Sequence, residues 1–212
     1  GHRIVHAGFV EKNEVINENV IKRIEKYNEL APLHNIPELE AVKELAKLKI
    51  KQIAVYDSLF YKDLPKRAYM YALPYKYYKK YGIRKIGFHG ISHSYVSEFI
   101  GRKKIISCHL GAGCSITAIK DGRAIDTSMG FTPCEGLIMG TRCGDIDPAI
   151  IPFLMGHEKL NYKEINKIIN ENSGLKGITG KEDYRDAKKN KLAMDMFEYR
   201  IRKYIGAYDA VL

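Results

Sequence analysis

The chain has 212 residues, and 35 Lys+Arg against 25 Asp+Glu leave a formal net charge of +10. Its 45% hydrophobic content supplies a packed core, which excludes a disordered tail. The longest apolar runs, such as Ala149 to Met155, fall far short of the ~20 residues that cross a bilayer. No secretory h-region opens the chain, so the expectation is a cytosolic protein with no membrane partner.

The length corresponds to between one and two domains. Four cysteines, Cys108, Cys114, Cys134 and Cys143, form no C-x-x-C pair, which argues against a zinc ribbon or a disulfide scaffold and for reduced thiols. The lysines are scattered among glutamates at helical spacing, as on solvated helix faces, so no nucleic-acid partner is expected. Gly1-His2-Arg3-Ile4-Val5-His6 reads as a strand already under way, without an initiator Met, and suggests a piece of a longer protein.

In chain order, residues 3 to 10 are β-like. Residues 16 to 30 place Ile16, Val20, Ile21, Ile24 and Tyr27 on one helical face. Ala31-Pro32-Leu33-His34-Asn35 reads as a loop. Pro37 then sits where a first helical turn tolerates proline, and Leu39, Val42, Leu45 and Leu48 carry a second amphipathic helix. Gln52 to Tyr56 is a short buried strand with Asp57 at its carboxyl end, where open α/β sheets place their ligands.

Residues 62 to 104, rich in Tyr and Lys and holding Pro65 and Pro74, read as a crossover between two domains. Three strands follow: Ile105 to Leu110, Ser115 to Lys120 and Arg123 to Asp126. Asp121-Gly122 between two alternating runs is a strong hairpin signal, and Gly111-Ala112-Gly113 turns the chain between the first two strands. A long glycine-bearing loop leads to Pro148. The remainder reads as a helix near 162 to 171, a glycine-rich loop and a closing helix from Leu192.

Several clusters could carry chemistry. Gly111-Ala112-Gly113 lets backbone N–H groups approach a phosphate, or is only a tight turn; His109 ends the same strand. His89 and His93 stand four apart, a spacing that suits a metal pair, a histidine that binds an anion, or two structural histidines. Asp126 to Pro148 holds too many glycines and hydroxyls for a core segment, and its Arg142 offers a planar fork of donors to a carboxylate or phosphate. Arg3 at a strand edge could do the same, and a surface ion pair is the alternative for each arginine. Asp183-Tyr184-Arg185 follows a glycine-rich stretch and reads equally as a helix cap.

Six stretches together resemble the acetate kinase family of the acetate and sugar kinase/Hsp70/actin superfamily. They are Gly1 to His6, Ala31 to Asn35, Val55 to Ser58, Gly87 to His93, Cys108 to Ser115 and Asp126 to Pro148, in the family's order. The resemblance implies a partial α/β, actin-like (ribonuclease H-like) two-domain kinase fold. Residues 1–62 would close the first domain and 63–212 would open the second. It further implies ATP-dependent, reversible phosphorylation of acetate to acetyl phosphate with Mg²⁺ (or Mn²⁺), in a cytosolic homodimer.

On that resemblance Asp57, His89 and Arg142 are catalytic, and Arg3, Val5, Leu33, Phe88 and Pro133 bind substrate. His109, Leu110, Gly111, Ala112 and Gly113, with Asp183, Tyr184 and Arg185, would contact ATP; no metal ligand is assigned. Acetate is ionised at neutral pH, so Asp57 is expected to organise Mg²⁺-bound water or Arg142 and not to act as a base. Ala112 and Cys114 replace the family's asparagine and serine, Tyr61 its histidine and Ala7 a glycine. Family segments with phosphate, adenosine and metal contacts are expected outside Gly1–Leu212. The alternatives are a propionate or butyrate kinase, or a non-catalytic fragment.

Overall fold

The structure is a computed structural model that describes residues 1–48, 50–101 and 103–212, the side chain of Leu33 excepted. Two three-stranded sheets organise it. In the first, β1 (His2–Ile4) runs parallel to β3 (Ile53–Tyr56), and β2 (Glu14–Val15) joins the other edge of β3 antiparallel. The ladder outlasts the strand, because Asp57 N–H donates to the Ile4 carbonyl at 2.9 Å. That bond fixes Asp57 beside the end of β1.

Helices α1 (Glu18–Glu25) and α2 (Pro32–Ala46) cover this sheet. Their residues Val20, Ile24 and Leu39 form one apolar cluster with Ile4, Ala54 and Tyr56. Asn17 caps α1 by accepting the Val20 N–H at 3.0 Å. Helix α2 departs from the sequence expectation. The predicted loop at residues 31–35 is its first turn, and Pro37 lies inside the helix. The Ala31 carbonyl accepts both the His34 and Asn35 N–H groups, so Pro32 takes the tolerant first position that the sequence reading gave to Pro37. Asn35, fully buried, clamps this turn to β1: it accepts the His6 N–H at 3.1 Å and donates to the His6 carbonyl at 2.7 Å.

Residues 62–104 hold three α-helices, α3 (Lys66–Tyr69), α4 (Tyr75–Tyr81) and α5 (Gly90–Ile100). The second sheet is the expected meander of β4 (Ile105–Leu110), β5 (Cys114–Lys120) and β6 (Arg123–Thr127), antiparallel throughout. Asp121 and Gly122 both take positive φ, +51° and +75°, the backbone that a two-residue hairpin turn demands. Central β5 is buried on both faces. Ile116 and Ala118 pack with Ala193, Met194, Phe197 and Tyr208, whereas Ser115 and Thr117 point the other way, into hydrogen bonds.

After an irregular segment come α6 (Ile150–His157), α7 (Tyr162–Glu171), α8 (Gly174–Thr179), α9 (Tyr184–Ala187) and α10 (Lys191–Val211). Helices α7 and α10 match the sequence reading. Asn161 and Glu164 form a reciprocal capping box at the start of α7. Helix α8 replaces the expected glycine-rich loop. Its Leu175 and Lys176 N–H groups donate at 2.9 Å to the Met139 and Gly140 carbonyls, and Gly174 takes φ +60° with a β-carbon's position only 2.1 Å from the Met139 oxygen. Docking against the 139–142 loop outweighs the poor helix propensity of two glycines. Among the described residues no helix is long and apolar enough to cross a membrane.

Candidate active site

The carboxyl end of the first sheet gathers the first half of the site. Asp57, 1% exposed, accepts Arg3 Nη2 at 2.8 Å and the His89 backbone N–H at 3.0 Å, both on Oδ2. Its main-chain carbonyl accepts the Gly90 N–H at 2.8 Å. One residue therefore binds the strand end to the N-terminus of α5, whose unpaired N–H groups suit a carboxylate. Gly90 permits the contact, since a β-carbon there would stand 2.3 Å from the Asp57 oxygen. The sequence reading gives Asp57 either Mg²⁺-bound water or Arg142 to organise; the side chain that it binds in the structure is Arg3. Burial opposes the charge of Arg3, but Asp57 outweighs it and holds the guanidinium pKa above its ordinary value.

His89 takes φ +59°, a left-handed backbone that non-glycine residues seldom adopt. This turns its ring into a buried polar layer between α5 and the meander. His89 Nδ1 lies 2.9 Å from Ser115 Oγ, and His93 Nε2 lies 2.8 Å from the same oxygen. His93 Nδ1 reaches Ser107 Oγ at 2.9 Å. A serine hydroxyl has one proton, so at least one imidazole must donate to Ser115. The predicted histidine pair thus converges on a serine. Burial, with the charges of His109 and His93 next, lowers the His89 pKa to about 2, and burial lowers that of His93 to about 3. Both rings are neutral at pH 7.

His109 stacks on His89 with ring centroids 4.1 Å apart, and its Nδ1 lies 3.0 Å from Ser92 Oγ. Leu110 is half exposed at the strand end, and the Gly111-Ala112-Gly113 turn follows. A β-carbon on Gly113 would stand 3.3 Å from His89 Nε2 and 3.4 Å from Arg142 Nη1. The glycine turn is thus where His89 and Arg142 meet.

Arg142 belongs to the long irregular segment. Its Nη1 donates to the Pro133 carbonyl at 2.7 Å, and its Nη2 lies 3.5 Å from His34 Nε2. Met139 N–H donates to the Arg142 carbonyl at 3.2 Å, and α8 is seated on Met139 and Gly140. Among the described residues Arg142 has no carboxylate in an ion pair. Burial, followed by the positive charge of Arg3 among the opposing influences, pulls its pKa below the ordinary value. Leaving a cation in a site like this is costly unless an anion joins it.

The other expected residues divide. Pro133 lines a cleft of about 220 Å³ with Arg142, His34, Cys134, Tyr162, Asn166 and other residues. Val5 and Phe88 are core residues, 2% and 1% exposed, and line neither this cleft nor that around Arg3. The Leu33 side chain lies outside the described residues. Asp183 caps α9, accepting the Arg185 N–H at 2.8 Å, and its side chain is paired with that of Arg185. Tyr184 is half exposed and leans on Phe197 at 5.6 Å. This corner is apart from Asp57 but near the glycine turn: Gly140 N–H donates to Ala112 O, and Glu182 O lies against Gly140.

Sequence reasoning missed His34, Glu38 and Ser115. Glu38 accepts the Val5 N–H at 3.1 Å and faces Arg3 across a shallow cleft. Burial, with the nearby Asp57 charge, raises its pKa. The only signal for His34 was its place in the Ala31 to Asn35 stretch. Nothing in the sequence marks Ser115 as the shared partner of two imidazoles.

The model of the acetokinase family matches residues 1–212. The chain belongs to the acetokinase family. It is 51% identical to the acetate kinase of Halothermothrix orenii and 48% identical to that of Carboxydothermus hydrogenoformans; each match covers all of this chain and 58% of the relative. The crystal structure of a propionate kinase from Francisella tularensis superimposes with a TM-score of 0.95 at 40% identity, covering 100% of this chain and 60% of that one. The Porphyromonas gingivalis acetate kinase gives a TM-score of 0.87 at 45% identity over 99% of this chain and 58% of its own. The fold is therefore the α/β, actin-like fold of these kinases, in part. This chain spans about 58% of the length of the curated relatives it matches.

Proposed function

We propose that this chain carries the acyl-acceptor side of a kinase that moves the γ-phosphoryl group of ATP onto acetate, reversibly, to give acetyl phosphate. One observation supports this above the others: Arg142, half-buried and with no carboxylate partner among the described residues, is turned toward the same point beside Gly113 as the Nε2 of His89. A small anion with a phosphoryl group approaching it would fill that point. Phosphoryl transfer asks the protein for alignment and for positive charge around three equatorial oxygens, with little covalent chemistry. Arg3 and Arg142 supply the charge, and neutral His89 supplies a donor that needs no proton from solvent. Acetate has no proton to lose at pH 7, and Asp57, engaged by Arg3 and His89, is a positioning residue.

Residues 1–62 and 63–212 serve in this reading as parts of two domains, with the site between them. The Gly111 to Gly113 turn and the Asp183 to Arg185 corner, which flank Gly140, form the nucleotide side. Among the described residues no group of three or more His, Cys, Asp or Glu side chains could hold a metal ion. One buried carboxylate suits a magnesium ion carried mainly by nucleotide phosphates, which would neutralise charge on them. A cytosolic homodimer completes the proposal. The exposed Leu192, Met196, Tyr199, Ile205 and Val211 on α10 support a partnered helix.

Propionate as acceptor is the second reading, favoured by the closely superimposed Francisella tularensis enzyme. One methylene separates the substrates by only ~1–3 kcal/mol, so both acids can be used. The test is a hydroxamate assay for acyl phosphate on the whole protein with ATP, Mg²⁺ and acetate, propionate or butyrate. Acetate should give the highest kcat/KM. A higher value with propionate transfers the assignment to the second reading, and no acyl phosphate from any acid supports a non-catalytic product.

A further inference from the structure

Two of the four free thiols lie together beside the unpaired arginine. Cys134 Sγ and Cys143 Sγ are 3.7 Å apart, too far for a bond and close enough to become one. They immediately follow the two residues joined by the Arg142 Nη1 to Pro133 carbonyl bond of 2.7 Å. Cys134 also lines the cleft that holds Arg142, which gives a small oxidant a route to its sulfur. We propose that Cys134 and Cys143 form a reversible disulfide under peroxide, and that this bond lowers phosphoryl transfer by moving Arg142.

The chemistry is balanced by hydrogen peroxide alone. The Cys134 thiolate attacks one peroxide oxygen, the O–O bond breaks, and hydroxide leaves with Cys134 as a sulfenic acid. The Cys143 sulfur attacks the sulfenic sulfur, the S–S bond forms, and a second hydroxide leaves. The two thiol protons convert both hydroxides to water, so two thiols and one peroxide give one disulfide and two waters. Cys134 is suited to the first step. The contact with Cys143 favours its thiolate, as does the Arg142 charge, against the opposing effect of burial. The pairing with Cys134, and burial after it, raise the pKa of Cys143.

A disulfide needs its sulfurs at about 2.05 Å, so they must approach well inside their present separation. The backbone cannot absorb this freely on the Arg142 side. Cys143 N–H is bonded to the Ile169 carbonyl at 3.0 Å, and Thr141 Oγ1 donates to the Asn170 carbonyl at 2.8 Å. The approach therefore falls on Cys134, and Pro133 beside it, whose carbonyl holds Arg142 Nη1, moves with it and displaces the Arg142 fork. Displacement of a positioning group by ~1 Å can cost on the order of 10²-fold in rate. The effect on rate rests on the kinase reading above; the disulfide itself does not.

The experiment uses the whole protein carrying Cys108→Ser, which removes the exposed thiol that would link molecules. It is treated with excess hydrogen peroxide, then with dithiothreitol, and followed by peptide mass mapping and the hydroxamate assay. A Cys134–Cys143 linked peptide should form and disappear on reduction. Acyl phosphate formation should fall at least tenfold and recover, while Cys143→Ser and Cys134→Ser proteins each lose the linked peptide and the reversible fall. Absence of the linked peptide overturns the disulfide. A linked peptide with unchanged turnover overturns its control of Arg142. If even the reduced protein makes no acyl phosphate, it is the kinase reading that fails, and the linked peptide still decides whether the disulfide exists.

Discussion

The two arginines of the site are held in opposite ways. Arg3 is half exposed, yet it is paired at 2.8 Å with a buried carboxylate that also binds the N-terminus of α5. Arg142 is more deeply set, yet its recorded contacts are a carbonyl, a thioether and a neutral imidazole. The first corner is satisfied before any ligand arrives, and its work is to fix geometry. The second is short of negative charge, and a ligand anion completes it. Preorganisation and appetite for an anion are thus divided between two corners, and His89, tied to the first, meets Arg142 beside Gly113.

Breaking the unsatisfied corner should cost most. Arg142→Ala is expected to lower kcat by about 10³-fold, as loss of a guanidinium that stabilises transferring phosphoryl does. Arg142→Lys should restore little, because a point charge cannot replace a planar fork; steady-state kinetics of both proteins check this. Breaking the satisfied corner should cost less. Asp57→Asn keeps an acceptor for the His89 N–H but removes the charge that holds Arg3, and kcat/KM for acetate should fall about 10²-fold at saturating Mg²⁺. Unchanged turnover would remove Asp57 from the account.

Three buried or half-buried histidines predict a pH effect on stability. His6, His93 and His89 have pKa values lowered by burial to about 4, about 3 and about 2. The unfolded chain takes up their protons near pH 6.5, so it binds more protons than the native state below that point, and stability falls with falling pH. Each imidazole still neutral should cost about 1.4 kcal/mol per pH unit below 6.5, down to its own lowered pKa. Urea midpoints at pH 7.5, 6.0 and 5.0 measure the slope; a flat profile contradicts buried neutral rings. The smallest effect belongs to the exposed Asp183–Arg185 corner. Arg185→Ala should raise KM for ATP at most about fivefold and leave KM for acetate unchanged, as expected of an exposed charge.

The sequence made local structure legible where neighbours in the chain decide it. Asp121-Gly122 announced the hairpin between β5 and β6, and the 105–110 strand and the 162–171 helix have the bounds that alternation and helical spacing indicated. It misled where distant contacts decide. Residues 31–35 form a helical turn because Asn35 is clamped to His6, and α8 forms because Gly174 fits against the Met139 carbonyl. Arg3, Asp57, His89 and Arg142 could be named from the resemblance, but their pairing could not. That Asp57 serves Arg3 depends on the parallel register of β1 and β3, and that Ser115 serves two histidines depends on α5 lying across the meander. Val5 and Phe88, which the resemblance assigns to the acetate pocket, lie in the core cluster at 2% and 1% exposure.

The most direct test is a calorimetric titration of the whole protein with acetyl phosphate, repeated on Arg142→Ala. If a ligand anion completes the Arg142 corner, the variant should bind about tenfold to a hundredfold more weakly while remaining folded, the loss expected for hydrogen bonds to a charged group. Equal affinity in the two proteins would show that Arg142 does not meet the anion, and would contradict the division of labour between the two arginines.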